Sequence, residues 1–178
     1  MTEALAGLAA VVAAVQRATV RIADSRHGGA GSGVLWRDRR TVVTNAHVVR
    51  GRGAVVRFAD GTTMQSRVVL RDTERDLVAL LLDAPAPAEP LRERDAASLR
   101  PGEIAIAVGN PLGLTGAAAV GIVHRPCGRF VVADLCLAPG NSGGPLVDAA
   151  GSVVGINSMI ADGLALAVPT EAVRALFA

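Results

Sequence analysis

Residues 139–158 read PGNSGGPLVDAAGSVVGINS, a glycine-rich turn followed by two short runs of aliphatic and β-branched residues. Val and Ile favour extended backbone, whereas Gly, Asn and Ser favour turns. The stretch therefore predicts strands at 145–148 and 152–158, preceded by a turn that carries Ser142. Because Ser142 stands among glycines, it is either an activated nucleophile or a small residue in a tight loop.

The same strand pattern recurs on both sides of a proline-rich stretch, residues 85–102, which reads as a linker. Ten further runs of strand type are found, at 18–23, 32–36, 40–45, 53–59, 65–71, 76–82, 103–109, 117–123, 129–135 and 164–168. No helical pattern alternates with these strands, so parallel βαβ units are not expected. The sequence predicts an all-β fold of two small antiparallel units of about six strands each, either barrels or sandwiches.

Short helices are expected at both ends of the chain. The C-terminal PTEAVRALFA has Thr170 as N-cap candidate and Glu171 in the first turn. The predicted organisation is an N-terminal arm or helix (1–16), a first barrel (17–84), the linker (85–102), a second barrel (103–169) and a C-terminal helix (170–178).

Composition excludes several classes of function. The chain is 51% hydrophobic with a formal net charge of +2, as expected for a globular protein. Its basic residues are all Arg and are dispersed, and aromatic residues are few, so a nucleic-acid partner is not expected. Cys127 and Cys136 lack partners at metal-ligand spacing, so we expect free thiols, no metal and no cofactor.

The N-terminal segment contains an apolar run, residues 4–15. The run is too short to span a bilayer, and no basic region precedes it, because Glu3 is the only early charge. We therefore expect no membrane insertion and favour a cytoplasmic location. A periplasmic or secreted location applies instead if a targeting segment precedes residue 1.

A nucleophilic role for Ser142 requires a neighbouring base, since a serine hydroxyl is unreactive at neutral pH without one. The chain has three histidines. His27 lies in a glycine-rich polar segment and His124 in a turn sequence, whereas His47 lies between two Val-rich stretches that would hold its ring in place. His47 is therefore the candidate base.

The base needs an orienting carboxylate, and the reaction needs two backbone N–H donors for the oxyanion. Asp76 directly precedes the apolar run LVALLL, whereas Asp60 reads as a hairpin-turn residue and Asp134 lies near Ser142 in the sequence, so Asp76 is the candidate carboxylate. In the turn PGNSGGP, the N–H groups of Gly140 and Ser142 can converge beside the serine oxygen.

Several motifs together resemble the protease domain of the HtrA/Deg family of trypsin-like serine proteases, which have the chymotrypsin fold. They are TNAHVV, DLVALLL, GNPLGL and PGNSGGPLVD, and they follow in order from about residue 16 to the end. The resemblance implies two antiparallel six-stranded β-barrels with the site in the cleft between them. It also implies His47 as general base, Asp76 as its orienting group, Ser142 as nucleophile, and Gly140 and Ser142 as oxyanion hole.

The resemblance further implies where a substrate side chain would bind. The residue six positions before the nucleophile, Cys136, is expected at the base of this pocket with Leu137 beside it. Leu164, Ala165 and Leu166 are expected on the other wall. A neutral thiol offers no counter-charge to Arg or Lys, so small aliphatic side chains before the scissile bond are predicted.

Regulation by a peptide bound to a PDZ domain, which many family members use, is not expected from this chain. Such members commonly carry PDZ domains after the protease domain, whereas this chain ends at the terminal helix, and Ala138 replaces a frequent Asn before the oxyanion turn. The N-terminal segment would serve in a homo-oligomer such as a trimer, or would pack on its own barrel; the chain could equally be one domain of a larger host protein.

Two functions fit these residues. The first is an endopeptidase that cleaves exposed apolar segments of peptides or unfolded proteins through an acyl-enzyme. The alternative is a peptide-binding or scaffold module whose oxyanion turn rests in a collapsed state. Suitable residues at all three catalytic positions favour the first, because a binding module has no chemical need for them.

Overall fold

The computed structural model describes residues 2–24 and 29–178. Two closed antiparallel barrels of six strands each make up this part of the chain, ordered β1-β2-β3-β6-β5-β4 and β10-β11-β12-β9-β8-β7. The first barrel comprises β1 Thr19–Asp24, β2 Gly29–Leu35, β3 Thr41–Thr44, β4 Gly53–Arg57, β5 Thr63–Asp72 and β6 Leu77–Leu82. The second comprises β7 Ile104–Gly109, β8 Ala117–Cys127, β9 Phe130–Asp134, β10 Pro145–Val147, β11 Val153–Ala161 and β12 Leu164–Pro169. The predicted fold class is confirmed.

Each barrel encloses its own core, and a third apolar cluster lies between the barrels. Strands such as β6 and β7 are buried at nearly every position, because one face points into its own barrel and the other against the neighbouring barrel. In β7, for example, Ala105 and Ala107 belong to the second-barrel core, whereas Ile106 and Val108 belong to the cluster between the barrels. This cluster holds the two halves of the molecule together and so positions the cleft between them.

The N-terminal helix, α1 Thr2–Ala18, packs against the cluster between the barrels. Val15 is fully buried there, and the Gln16 side chain donates a hydrogen bond to the Gly116 carbonyl over 2.6 Å. The segment thus packs on its own barrels, which is one of the two alternatives for it. Among the described residues, no helix combines the length and apolarity that crossing a membrane requires.

The C-terminal helix, α2 Thr170–Ala175, corrects one expectation. Pro169, not Thr170, is the N-cap residue, so the capping role expected for Thr170 is wrong. The Thr170 hydroxyl instead donates to the Arg94 carbonyl over 2.7 Å, because the connection between the barrels runs directly beside the helix start. Glu171 lies in the first turn, as expected.

The connection between β6 and β7 is fastened to the second barrel through Arg94. Its guanidinium donates to Glu103 over 2.8 Å and to Asp148 over 3.2 Å. The hydrogen bond from Arg94, opposed by burial and assisted by Arg100, lowers the pKa of Glu103 to about 2. The proline-rich stretch therefore has a defined path over the surface.

Candidate active site

The two barrels contribute different parts of one site. His47 lies in a turn directly after β3, and Asp76 directly precedes β6 of the same barrel. Ser142 lies in the turn before β10 of the second barrel. His47 itself is exposed, but its neighbours Val48 and Val49 are buried in the first-barrel core and anchor the turn. The three residues named from the sequence thus border the same cleft.

Asp76 binds His47 through both of its carboxylate oxygens. His47 Nδ1 lies 2.8 Å from Asp76 Oδ2, and the backbone N–H of His47 donates to Asp76 Oδ1 over 3.0 Å. A carboxylate on Nδ1 favours the tautomer in which Nε2 carries the lone pair and can accept a proton. The pair therefore has the arrangement that a general base requires.

The backbone of Asp76 adopts the left-handed conformation, with φ of +57°. This conformation is unfavourable for most non-glycine residues and is kept where neighbouring contacts enforce it. Here the Asp76 carbonyl accepts hydrogen bonds from the N–H of Ala46 (3.1 Å) and from the side-chain amide of Asn45 (3.0 Å). Sequence reasoning did not name Asn45, although it stands two residues before His47 in TNAHVV.

The pKa of Asp76 is lowered from its ordinary value. Burial alone would raise this pKa, but hydrogen bonds from the His47 side chain, the His47 backbone and Ser158 together outweigh burial. Asp76 therefore remains ionised at neutral pH beside the imidazole, as an orienting group must.

Ser158 on β11 connects the two halves of the site, and sequence reasoning did not name it. Its hydroxyl donates to Asp76 Oδ2 over 2.9 Å, and its carbonyl accepts a hydrogen bond from the Ser142 hydroxyl over 3.1 Å. Within the described residues, the Ser142 hydroxyl makes no hydrogen bond to His47. The only sequence signal for Ser158 is its place at the end of the predicted strand in GSVVGINS.

The turn around Ser142 leaves two backbone N–H groups available. The Pro139 carbonyl accepts a hydrogen bond from Leu112, and the Asn141 carbonyl accepts one from Gly144. Because C=O and N–H point in opposite directions across a trans peptide, the N–H groups of Gly140 and Ser142 point away from these partners. Neither donates a hydrogen bond to any residue that the structure describes. Gly140 has φ of +104°, which only glycine adopts readily.

Ser32 on β2 ties this turn to the first barrel and was also missed. Its N–H donates to the Ser142 carbonyl over 2.8 Å, and its hydroxyl donates to the Gly140 carbonyl over 2.7 Å. A Cβ on the adjacent Gly31 would lie 2.8 Å from the Ser142 carbonyl oxygen, so the close approach requires glycine. The glycine-rich segment that carries Ser32 is strand from Gly29 onward.

The five predicted pocket residues differ in burial. Cys136 is a free, exposed cysteine, whereas Leu137 and Ala165 belong to the second-barrel core. Leu164 and Leu166 are partly buried on β12. Whether these residues contact a substrate side chain stays a prediction.

An apolar strand edge lies next to Ser158. On one side, β11 pairs with β12 through Met159 and Ile160, whereas on the other side its pairing with β10 extends only to Ile156. In the described part of the chain, no strand covers the edge after Ser158. The side chains of Met159 and Ile160 are about half exposed, which makes the edge apolar.

The remaining sequence candidates contribute little to this site. His124 is exposed on β8, whereas His27 and the side chain of Cys127 lie outside what the structure describes. Among the described residues, no three His, Cys, Asp or Glu side chains are gathered as metal ligands would be. The site consists of protein groups suited to proton transfer and nucleophilic attack.

Comparisons with known proteins agree with this geometry. Residues 31–156 match the family of trypsin-like peptidase domains. The putative serine protease HhoB of Synechocystis sp. is 39% identical over 165 residues, covering 83% of this chain and 39% of that protein. The chloroplastic Protease Do-like 1 of Arabidopsis thaliana is 34% identical over 165 residues (82% and 38%), and the serine protease Do-like HtrA of Lactobacillus helveticus is 36% identical over 168 residues (80% and 41%).

This chain therefore spans about two fifths of the length of these relatives. Their names confirm the resemblance to HtrA/Deg proteases that the motifs around His47 and Ser142 carry. The chain belongs to the family of trypsin-like peptidase domains.

Proposed function

We propose that this domain is a serine endopeptidase that works through an acyl-enzyme. One observation carries the proposal: a continuous hydrogen-bonded path runs from His47 through Asp76 and Ser158 to the hydroxyl of Ser142. Base, orienting carboxylate and nucleophile thus stand in one network that spans both barrels. A serine in a glycine turn would not by itself require such a network.

In the first half of the reaction, Ser142 Oγ turns from the Ser158 carbonyl towards His47 and attacks the scissile carbonyl carbon. His47 Nε2 takes the hydroxyl proton, and the N–H groups of Gly140 and Ser142 stabilise the oxyanion. His47 then passes this proton to the amide nitrogen, the C–N bond breaks, and the amine leaves. The acyl group stays on Ser142 as an ester.

In the second half, a water molecule replaces the departed amine. His47 takes a proton from the water, whose oxygen attacks the ester carbonyl. The bond to Ser142 Oγ breaks, and the proton returns from His47 to that oxygen. The acid product leaves and the hydroxyl is regenerated.

The proposed substrates are exposed apolar segments of peptides or unfolded proteins. Such a segment can add to the open edge of β11, where Met159 and Ile160 offer apolar surface and the Ser158 carbonyl offers an acceptor. Cys136 is not an acidic residue that could pair with Arg or Lys, which supports cleavage after small aliphatic residues. The domain is proposed to act either within a homo-oligomer or as one part of a larger host protein.

The alternative, a binding module with a collapsed oxyanion turn, is not favoured. The relatives are named as serine proteases. The Pro139 carbonyl accepts a hydrogen bond from the Leu112 N–H, so it points away from the oxyanion position and the Gly140 N–H stays available there. No separate observation supports a role in binding alone.

A fluorophosphonate probe tests the proposal directly. The probe phosphonylates only a serine that is activated as a nucleophile, so the native chain should be labelled and Ser142→Ala should not. Ser98→Ala, which changes an exposed serine on the connection between the barrels, is the matched control and should label like the native chain. A folded native chain that takes up no label contradicts the proposal.

A further inference from the structure

Two neighbouring grooves open on the first barrel beside His47. The first, about 440 Å³, is lined by Ala46, His47, Arg50, Arg71, Thr73 and Asp76. The second, about 700 Å³, shares Arg50 and Arg71 with the first and continues past Arg52 towards Gln65 and Ser66. Together they form one channel, the arginine groove, which leads from the proposed catalytic base along β4 and β5.

The loop that forms the arginine groove is held in place from two sides. The buried carboxylate of Asp24 accepts hydrogen bonds from the N–H groups of Arg50 (3.1 Å) and Gly51 (2.9 Å). Arg71 donates from the opposite side to the carbonyls of Val49 (2.7 Å) and Gly51 (2.8 Å). The loop is therefore preorganised, and so is the positive charge of Arg71.

Two further positive charges project from this loop without a partner. Arg50 and Arg52 are exposed, and their side chains make no ion pair or hydrogen bond with any residue that the structure describes. The carboxylates that line the grooves are those of Asp24 and Asp76, and both accept hydrogen bonds, from the loop and from His47 respectively. Because the three arginines of the groove outnumber these two carboxylates, and Asp24 is buried, the exposed charge is mainly positive and complements an anionic chain.

The chemistry of the site decides which part of a substrate reaches this groove. His47 must lie next to the leaving amine in order to protonate it, so the residues after the scissile bond extend on the His47 side, over the first barrel. The residues before the scissile bond lie on the β11 side, with Ser158. We infer that Arg50 and Arg52 bind acidic side chains that follow the scissile bond, and so select substrates in which an apolar segment precedes an Asp/Glu-rich one.

This inference rests on the proposed endopeptidase function, and peptide cleavage tests it. Two quenched fluorescent peptides would share an apolar segment before the bond and carry either Asp/Glu or Asn/Gln after it. The native chain should prefer the acidic peptide in kcat/KM by roughly five- to tenfold at low salt, and added salt should reduce this preference. The double variant R50Q/R52Q should bring the ratio close to one, whereas Arg57→Gln, an exposed arginine on β4 outside both grooves, should leave it unchanged.

A binding measurement separates failure of this inference from failure of the proposed function. Fluorescence anisotropy of labelled peptides measures binding to the Ser142→Ala variant, which lacks the proposed nucleophile and so does not turn the peptides over. Tighter binding of the acidic peptide that is lost in R50Q/R52Q supports the inference even if the native chain cleaves nothing. Equal binding of both peptides overturns the inference. It is also overturned if Arg57→Gln loses the preference for the acidic peptide as fully as R50Q/R52Q does. Thermal melts of each variant establish that the comparison is made between folded proteins.

Discussion

The hydroxyl of Ser142 donates a hydrogen bond to the main-chain carbonyl of Ser158 over 3.1 Å. The same Ser158 donates its own hydroxyl to Asp76 over 2.9 Å, so one residue of the second barrel contacts both the proposed nucleophile and the proposed orienting carboxylate. An amide carbonyl is not basic enough to accept the serine proton. The proposed reaction therefore requires the Ser142 hydroxyl to turn to His47, whose orienting carboxylate, Asp76, is held in part by Ser158.

Replacement of Ser158 by Ala should lower kcat while leaving KM nearly unchanged. The loss of one hydrogen bond to the Asp76 carboxylate should cost about three- to tenfold in rate. Ser158→Thr, which retains a hydroxyl, should recover most of the activity. Steady-state kinetics on a quenched peptide measure both parameters, and a change confined to KM would contradict a positioning role for the hydroxyl.

Asp76→Asn should lower kcat by about 10⁴, since an amide favours the wrong tautomer of His47. Asn tolerates the left-handed backbone at this position, where φ is +57°, so the variant should remain folded. Asp76→Ala should be less stable than Asp76→Asn by about 1–2 kcal/mol, because Ala has no side-chain hydrogen bond to offset that conformation. Kinetics and thermal melts of both variants check the prediction, which fails if Asp76→Asn retains a tenth of the native rate.

Gly140→Ala should remove most activity. A Cβ at this position would lie 2.6 Å from the Asn110 carbonyl oxygen, and the backbone has φ of +104°. The turn would have to shift, and misplacing one oxyanion donor costs about 10²–10³ in kcat. Gly128→Ala is the matched control, since Gly128 also has positive φ but no atom lies within 4 Å of its Cβ position. Similar losses in both variants would point to backbone strain instead of the oxyanion hole.

Cys136→Asp should change the preferred residue before the scissile bond. If Cys136 lies at the base of the pocket, a carboxylate there should favour Lys and Arg over Val by more than about tenfold relative to the native chain. Cys136→Ser keeps the size without the charge and should leave the preference aliphatic. A peptide series varied at this single position measures the ratio, and an unchanged ratio in Cys136→Asp would remove Cys136 from the pocket.

The contribution of the Arg94–Glu103 ion pair to stability should depend on pH. The pKa of Glu103 is lowered to about 2, chiefly by the hydrogen bond from Arg94, against its ordinary value of 4.5. A carboxylate with a depressed pKa stabilises the fold above its unfolded-state pKa, and this stabilisation is lost as the pH falls towards 2. Arg94→Ala should therefore have a lower Tm than the native chain near neutral pH, and the two melting temperatures should converge on acidification. A difference in Tm that stays constant as the pH falls would contradict a stabilising role for the Arg94–Glu103 ion pair.

Local sequence patterns were sufficient to predict the strands, and the family resemblance added the barrel architecture. The runs of Val, Ile and Leu between turn residues correspond to all twelve strands of the described chain, because strand formation follows from residues close together in the sequence. The same patterns led to His47, Asp76 and Ser142, since each side chain has a distinctive chemistry and a distinctive local setting. Thr170 was misjudged because its hydroxyl finds a partner, Arg94, that is distant in the sequence.

The sequence by itself therefore determined the strands, the family and, through the family, the two-barrel architecture, and it named the candidate side chains for catalysis. Only the tertiary structure brought Ser32 onto the turn of Ser142, Asn45 and Ser158 onto Asp76, and the exposed arginines into one groove beside His47. These residues are ordinary Ser, Asn and Arg in local context. Their importance arises from hydrogen bonds and charges between residues far apart in the chain. Some of these form when the first barrel closes, and others form only when the two barrels pack against each other.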